Sequence, residues 1–465
     1  AWALREVARE EAPTARTADV LRYHSRPGLD PDALDVTVPA HRTAPGLVFL
    51  AVKRGPGQDG PMIVDDRGHV VWFRPAPGRT TATGFRVQRY RGEPVLTWWQ
   101  GRTMLGHGQG EYVILDRHYR ELARVRAGNG YHGDHHEFQL TPRGTAYMSI
   151  YHARKADLSA VGGARDGTIF ESIVQEVDIA TGRVVWEWHS ADHLPVTEGM
   201  TPPKATKPHD YFHVNAVDED RDGNLLLSAR NMHAIYKIDK RTGKVIWRLG
   251  GRRSDFALGP GAGFAFQHDV QRRADGTISL FDNEATPPQA EQSRALVLRL
   301  DRRRGTATAV RAYTHPDTLL AIAEGNMQTL PNGHVFVGWG PQRHVSEFSR
   351  RGRLLFDLEL PAGADTYQAF RFPWRGEPLD RPALAARRRP NGLVTVWASW
   401  NGATEVRSWQ VLAGDDADEL QPVASAPRID FETAIPSRTD ARYVAVRALD
   451  ANGRELGTSR AIEPS

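Results

Sequence analysis

HVNAVDEDRDGNLLLSAR, residues 213–230, alternates apolar and polar side chains, breaks at Asp222-Gly223 and resumes as an apolar run. Period-two alternation on both sides of a turn pair reads as a β-hairpin. The same line recurs as HEFQLTPRGTAYMSIY from residue 136, HDVQRRADGTISLFDN from 268 and NMQTLPNGHVFVGWG from 326. Its first slot holds His136, His213 and His268 in three copies and Asn326 in the fourth. A second hairpin alternates with it, as VDIATGRVVWEW (177–188) and IDKRTGKVIWRLG (238–250). Two hairpins make a four-stranded antiparallel sheet, the unit of a β-propeller blade.

Counting such pairs places blades near 84–125, 136–188, 213–250, 268–313 and 326–360. The segment 46–73 supplies most of another, and TYQAFRFPW (366–374) is the strand that would close the ring on it. The expected fold is therefore all-β, a six-bladed β-propeller over 46–377. A seven-bladed ring and an open β-solenoid are the competing architectures. Beyond the Pro- and Arg-rich RPALAARRRPN the pattern changes. Short alternating strands with Trp400, Trp409 and Tyr443 read as a fibronectin type III-like β-sandwich over 378–465. Residues 1–45 carry no repeat and form an N-terminal arm, with a short helix expected over 1–12.

Composition agrees with many short strands. Of 465 residues 40% are hydrophobic, and 43 Gly and 30 Pro punctuate the chain. Sixty basic and 56 acidic residues leave a net charge of +4, without a Lys/Arg run interleaved with aromatics. No nucleic-acid partner is implied. No apolar stretch approaches the length of a membrane span. Cysteine is absent, which excludes disulfides, thiolate metal sites and cysteine nucleophiles. The chain opens on Ala1 rather than Met, and an export signal removed ahead of it is expected, placing the protein outside the cytoplasm. Nothing in the sequence sets an oligomeric state.

In a propeller the first strand of each blade lines the central channel, so the slot residues face one another. The second strand returns antiparallel, which places Arg230 beside His213, Tyr151 near His136, and Asp282 or Asn283 near His268. Several imidazoles around an arginine make an anion site whose members titrate near neutrality. A neutral histidine is a nucleophile, a protonated one a general acid, and arginine a fixed donor fork for a tetrahedral oxyanion. Sulfuryl or phosphoryl transfer needs that set.

The lines HEFQLTPRGTAYM, HVNAVDEDRDGNLLLSARNMHAIYKIDKRTGKVIWRLGG, FAFQHDV and GNMQTLPNGHVFVGWG resemble the bacterial arylsulfotransferase family. GLVFLAVKRGPGQDGPMIVDDRGHVVWF and TWWQGRTMLGHGQGEYVILD are similar to its actinobacterial-type branch. The likeness runs over roughly residues 21–375. It implies a six-bladed propeller that moves sulfate from a phenolic sulfate donor to a phenolic acceptor, without a nucleotide donor, cofactor or metal. It also implies a ping-pong cycle through a sulfated histidine, with His268 as the nucleophile. His213 and Arg230 would hold the sulfuryl oxygens and assist proton transfer, and His136 would complete the cluster. The chain lacks the cysteines of some periplasmic members and adds the sandwich.

Around that core, Asn326, His209, Tyr151, Trp98 and Trp99 are candidate substrate contacts, the two tryptophans by stacking at the rim. His132, His135 and His152 have no slot and read as structural. DEDRDGNLL (218–226) begins like a calcium loop, but Ala229 stands where a bidentate Glu is needed, so it reads as a turn. GPGAG (259–263) lacks a strand-then-helix context and reads as a connection. Two rival functions remain at this point. Three histidines can also hold a divalent metal in a propeller lyase or hydrolase, and a propeller with a sandwich can be a binding module.

Overall fold

The computed structural model describes residues 19–104, 106–204, 207–285 and 287–465. The helix expected over 1–12 lies outside the described residues. What is described is all-β, in eight sheets joined by short turns and brief helical turns.

Six sheets follow one another along the chain. The first pairs Leu47–Lys53, Gly60–Val64 and Val70–Phe73, with Asp365–Phe372 added beside Leu47–Lys53. The second runs Thr81–Tyr90, Glu93–Met104, His107–Leu115 and Glu121–Val125. The third holds Phe138–Leu140, Thr145–Ala156, Gly167–Asp178 and Val184–His189. Val214–Glu219, Leu225–Ala229, Ala234–Ile238 and Val245–Gly250 form the fourth. His268–Arg272, Ile278–Asp282, Arg294–Asp301 and Thr306–Tyr313 form the fifth, edged by Ala257–Leu258. Asn326–Thr329, Val335–Gly338, His344–Phe348 and Leu354–Glu359 form the sixth, and Asp35–Val38 of the N-terminal arm adds a fifth strand to it. The arm is therefore partly built into a sheet.

Each sheet is apolar on both faces because both are covered. Phe49 and Trp72 of the first sheet pack on Phe85 and Trp98 of the second. Trp99 and Tyr112 of the second meet Phe138 and Met148 of the third. Tyr147 and Val174 meet Val214 and Tyr236, and Leu226 and Trp247 meet Leu280 and Leu296. Phe281 and Val297 of the fifth meet Met327 and Trp339 of the sixth, whose Phe336 and Phe356 return to Val48 and Met62 of the first. The sheets thus close a circle. Apolar burial on that scale, worth ~25 cal/mol per Å², is the main force holding it.

Two further sheets lie beyond residue 382. Ala383–Arg388, Leu393–Ser399 and Glu432–Arg438 face Gln421–Pro427, Ser408–Gly414, Tyr443–Leu449 and Glu455–Thr458. Val394, Trp409, Ile435 and Val446 fill the space between them. Asn401 ties this unit to the first sheet, its Oδ1 accepting from Phe73 N–H at 2.9 Å and its Nδ2 donating to Phe73 O at 2.8 Å. Gly402 follows at φ 90°, and a Cβ there would meet the Tyr119 ring at 2.4 Å. Only glycine fits that contact.

In the turn 218–226, Lys237 Nζ donates to Asp220 and Asp222 at 2.7 and 2.6 Å. A lysine ammonium occupies the place a bound cation would take.

Candidate active site

The slot register brings the three histidines together. His268 opens the first strand of the fifth sheet, His213 precedes that of the fourth, and His136 stands two residues ahead of that of the third. His213 Nε2 and His136 Nε2 are 3.2 Å apart with the rings nearly perpendicular. Tyr367, on the strand closing the first sheet, lies edge-on to both His136 and His268, at 5.7 and 6.3 Å between centroids. All three histidines are buried. His213 holds φ 58°, a left-handed conformation costing on the order of 1 kcal/mol for a non-glycine residue.

Carboxylates and amides aim these rings. His136 Nδ1 bonds Asp134 Oδ2, which also accepts the His136 backbone N–H at 3.0 Å. Asp134 Oδ1 takes the N–H of Gly108, where a Cβ would collide with Trp99 and His135. His213 Nδ1 bonds Asp210 Oδ2 at 2.5 Å. His268 Nδ1 bonds Asn283 Oδ1 at 2.7 Å. The Asn283 amide group donates to Ala321 O and Glu324 O, so its oxygen must face the ring. His268 Nδ1 is therefore the protonated nitrogen, and Nε2 carries the lone pair. Nε2 rests against the Glu324 backbone N–H at 3.2 Å.

Replacing Asn283 by Leu removes the acceptor that holds Nδ1–H and frees the tautomer. A buried donor left unpaired costs ~1–3 kcal/mol, so turnover by His268 should fall ~10–100-fold with little change in KM. Asn283→Asp keeps an acceptor and should retain more activity than Asn283→Leu; steady-state kinetics on the two variants checks the order.

Arg230 follows Leu225–Ala229, and its N–H donates to His213 O at 3.0 Å. Its guanidinium donates to Ile322 O and Asn231 Oδ1, both at 3.0 Å, and lies over the Phe266 ring at 5.0 Å. Three of its five N–H donors remain for a ligand. A cavity of about 350 Å³ opens here, lined by His107, Phe170, His209, Asp210, Arg230 and Phe266, with Lys204 and Lys207 at its edge. Two aromatic walls and a cationic end suit an aromatic anion.

Burial drives the electrostatics. It pushes His136 down to about 4 against the pull of Asp134. Burial, then His107 and Arg230, hold His213 well below the ordinary histidine range. Burial and Arg230 do the same to His268, leaving its Nε2 unprotonated at neutral pH. Asp210 is raised by burial to about 6, against the pull of His107 and Arg230. Burial also opposes charge on Asp134, yet His136 and His135 draw it well below the usual carboxylate range. The set offers a neutral nucleophile, a fixed cation and weakly held protons.

The other expected contacts divide. Tyr151 is at the site, its ring 5.6 Å from His136 and 5.3 Å from His213, with its hydroxyl donated to Val214 O. His209 lines the cavity, anchored by its N–H on Thr168 O at 2.7 Å. Asn326 spends both ends of its amide on the backbone of Ala369, at 2.8 and 2.9 Å, and links the sixth sheet to the first. Trp98 and Trp99 are buried on opposite faces of the second sheet, Trp98 between Trp72 and Phe85 and Trp99 beneath His135. Neither reaches the cavity, because adjacent strand residues point to opposite faces and both faces are covered. Asn283 lies on His268, while Asp282 turns away to Arg294 at 2.9 Å.

Sequence reasoning passed over His107, Asp134, Asp210 and Tyr367. His107 packs on Tyr151 at 4.1 Å and on Phe170 at 4.6 Å, with Nε2 3.5 Å from Asp210. One signal was available: an aspartate shortly precedes two slot histidines, in DHH (134–136) and DYFH (210–213). His135, read as structural, stacks on His136 at 4.1 Å.

Three groupings among the described residues bring ligand atoms within 4.8 Å: His107–Asp210–His213, Asp134–His135–His136 and, outside the site, His315–His344–Asp357. The three slot histidines do not form such a grouping. Among the described residues no helix is long and apolar enough to cross a membrane.

Among solved structures, a Bacteroides caccae protein of unknown function matches at 13% identity and TM-score 0.44, over 70% of this chain and 98% of that one. Virginiamycin B lyase from Staphylococcus aureus matches at 10% and 0.32, over 83% and 96%. Regucalcin, a calcium-binding protein from Agrobacterium tumefaciens, matches at 14% and 0.34, over 70% and 83%. Likeness at this level says nothing of chemistry. No curated protein sequence matches the chain. The family model for arylsulfotransferase (ASST) matches residues 86–360, a span that contains His136, His213, Arg230 and His268. By that match over more than half its length, the chain belongs to the arylsulfotransferase family.

Proposed function

We propose that this protein moves a sulfuryl group from a phenolic sulfate ester to a phenolic acceptor through a sulfated His268, in a ping-pong cycle. The observation that carries the reading is the tautomer of His268: Asn283 holds the proton on Nδ1, which leaves the Nε2 lone pair inside a cluster that also contains Arg230. In the first half-reaction Nε2 bonds sulfur, and the aryl oxygen leaves with the S–O electron pair and takes a proton. Arg230 offsets charge on the sulfuryl oxygens. In the second, the acceptor oxygen bonds sulfur, its proton is taken up, and the N–S pair returns to Nε2. No step calls for a metal or a nucleotide donor.

The six sheets closing a circle support a six-bladed β-propeller with Asp365–Phe372 as the closing strand. The two sheets beyond residue 382 fit a fibronectin type III-like sandwich. Membership of the actinobacterial-type branch, and a working place outside the cytoplasm, belong to the same reading.

The test is turnover of 4-nitrophenyl sulfate with a phenol acceptor, read by mass spectrometry across pH. An ordinary histidine nucleophile of pKa ~6.5 would lose roughly tenfold in rate between pH 7.5 and 5.5. His268 is held lower, so its neutral form persists and activity should fall only at more acid pH. No transfer from any aryl sulfate, at any pH, defeats the proposal.

A further inference from the structure

The cavity beside Arg230 carries more positive charge than one sulfate ester answers. Its lining holds three fixed cations: Arg230, half-buried inside it, and Lys204 and Lys207, exposed at its mouth. Asp210 is the one carboxylate among the described lining residues, and it is spent on His213 Nδ1. Among the described residues neither lysine has an ion-pair partner. A phenolic sulfate brings a single negative charge, which Arg230 meets. His209 is held below the ordinary histidine range by burial, so it adds a hydrogen-bond donor to the lining rather than another charge.

The segment that bears the lysines is anchored on the cavity wall at both ends. Met200 N–H donates to Asn231 O at 2.9 Å, and Arg252 Nε to Gly199 O at 3.1 Å. At the far end Phe170 N–H donates to His209 O at 3.1 Å. Asn231, Phe170 and His209 all line the cavity. Pro202, Pro203 and Pro208 fix φ between these ties. Lys207 N–H donates to Lys204 O at 3.4 Å, which sets the two lysines on one turn.

We infer that the substrates of this cavity carry a second anionic group, a ring carboxylate or a second sulfate, which Lys204 and Lys207 hold while Arg230 faces the sulfuryl group. The inference rests on the sulfuryl-transfer reading above. The aryl ring lies between Phe170 and Phe266, the two aromatic walls. In an in-line displacement the leaving and entering oxygens both stand opposite His268 Nε2. Donor and acceptor rings therefore use the cavity in turn, and the acceptor carries the same anionic group.

The experiment compares 4-carboxyphenyl sulfate and 1,4-phenylene disulfate with the methyl ester of the former, on wild type and on the Lys204→Met/Lys207→Met double variant. Comparing ratios between the two proteins cancels differences in leaving group. Two exposed ion pairs are worth ~5–10-fold together. The preference for a charged donor over the methyl ester, read in KM, should fall by that factor in the variant. In wild type it should also shrink as salt rises, since screening weakens exposed charges. The donor whose preference falls identifies the anion the lysines hold. Unchanged ratios for both charged donors overturn the inference even if wild type is fully active. If wild type turns over no aryl sulfate, calorimetry with 4-carboxyphenyl sulfate decides. A Kd ~5–10-fold weaker in the variant supports the anion site while the transferase reading falls, and equal Kd values overturn the site as well.

Discussion

His268→Ala is expected to abolish sulfuryl transfer, by at least ~10⁴-fold in kcat, the scale of losing a covalent nucleophile. With donor alone, wild type should acquire a sulfated peptide containing His268, and the variant should not. His268 is buried and makes two hydrogen bonds, to Asn283 and from Glu324, so the alanine variant also opens a cavity. His268→Gln fills much of that space without an imidazole nitrogen, which separates lost chemistry from lost packing. If either variant still turned over at the wild-type rate, the nucleophile would be another group. His136 and His213 turn their Nε2 atoms on each other at 3.2 Å, whereas His268 Nε2 meets a backbone N–H.

Arg230→Met should lower kcat by ~10²–10³-fold, the effect of removing one preorganised donor to a developing anion. The side chain is already immobilised by Ile322 O, Asn231 and the Phe266 face, so no ordering is needed when the substrate arrives. Methionine keeps much of the contact with Phe266 and isolates the charge. Arg230→Lys should recover little, because an ammonium that held Ile322 and Asn231 would keep one N–H for the substrate where the guanidinium keeps three. Full activity in Arg230→Lys would mean that charge alone matters at this position. Equal rises in KM with kcat unchanged would assign Arg230 to binding rather than to the reacting sulfuryl group.

The slot was legible because a repeat converts sequence register into spatial register. Histidines at the start of consecutive hairpins had to converge once the sheets closed a circle, and Arg230 followed from the return of the second strand. Asn326 shares the slot but serves another purpose. Its neighbour is Asp365–Phe372, which arrives from the far end of the repeat region and offers Ala369 as a backbone partner. Trp98 and Trp99 were misplaced at the rim for a simple reason. In a sheet packed on both faces, adjacent large aromatics are both core. The residues that aim the histidines were harder to see. Asp134 and Asp210 lie in loops outside the strand pattern, His107 follows a hairpin tip, and Tyr367 is a phenol within a buried strand. His107 and Tyr367 have no repeat partner, and the two aspartates stand at unequal distances, two and three residues, ahead of their histidines, so strict periodicity did not mark them.

The pairing of Leu47–Lys53 with Asp365–Phe372 also sets an order of assembly. A chain emerging from its N-terminus makes one edge strand early and waits for its partner until the sixth sheet is complete. Asp35–Val38 waits in the same way for Leu354–Glu359. Two unpaired strand edges are thus exposed through most of synthesis, the condition under which nascent β-proteins stick to one another. Long-range closure of this kind is slow. Only when it is done are His136, His213 and His268 held in one cluster, so chemical competence arrives last. The unit beyond residue 382 follows the closing strand in the chain and so is made after it.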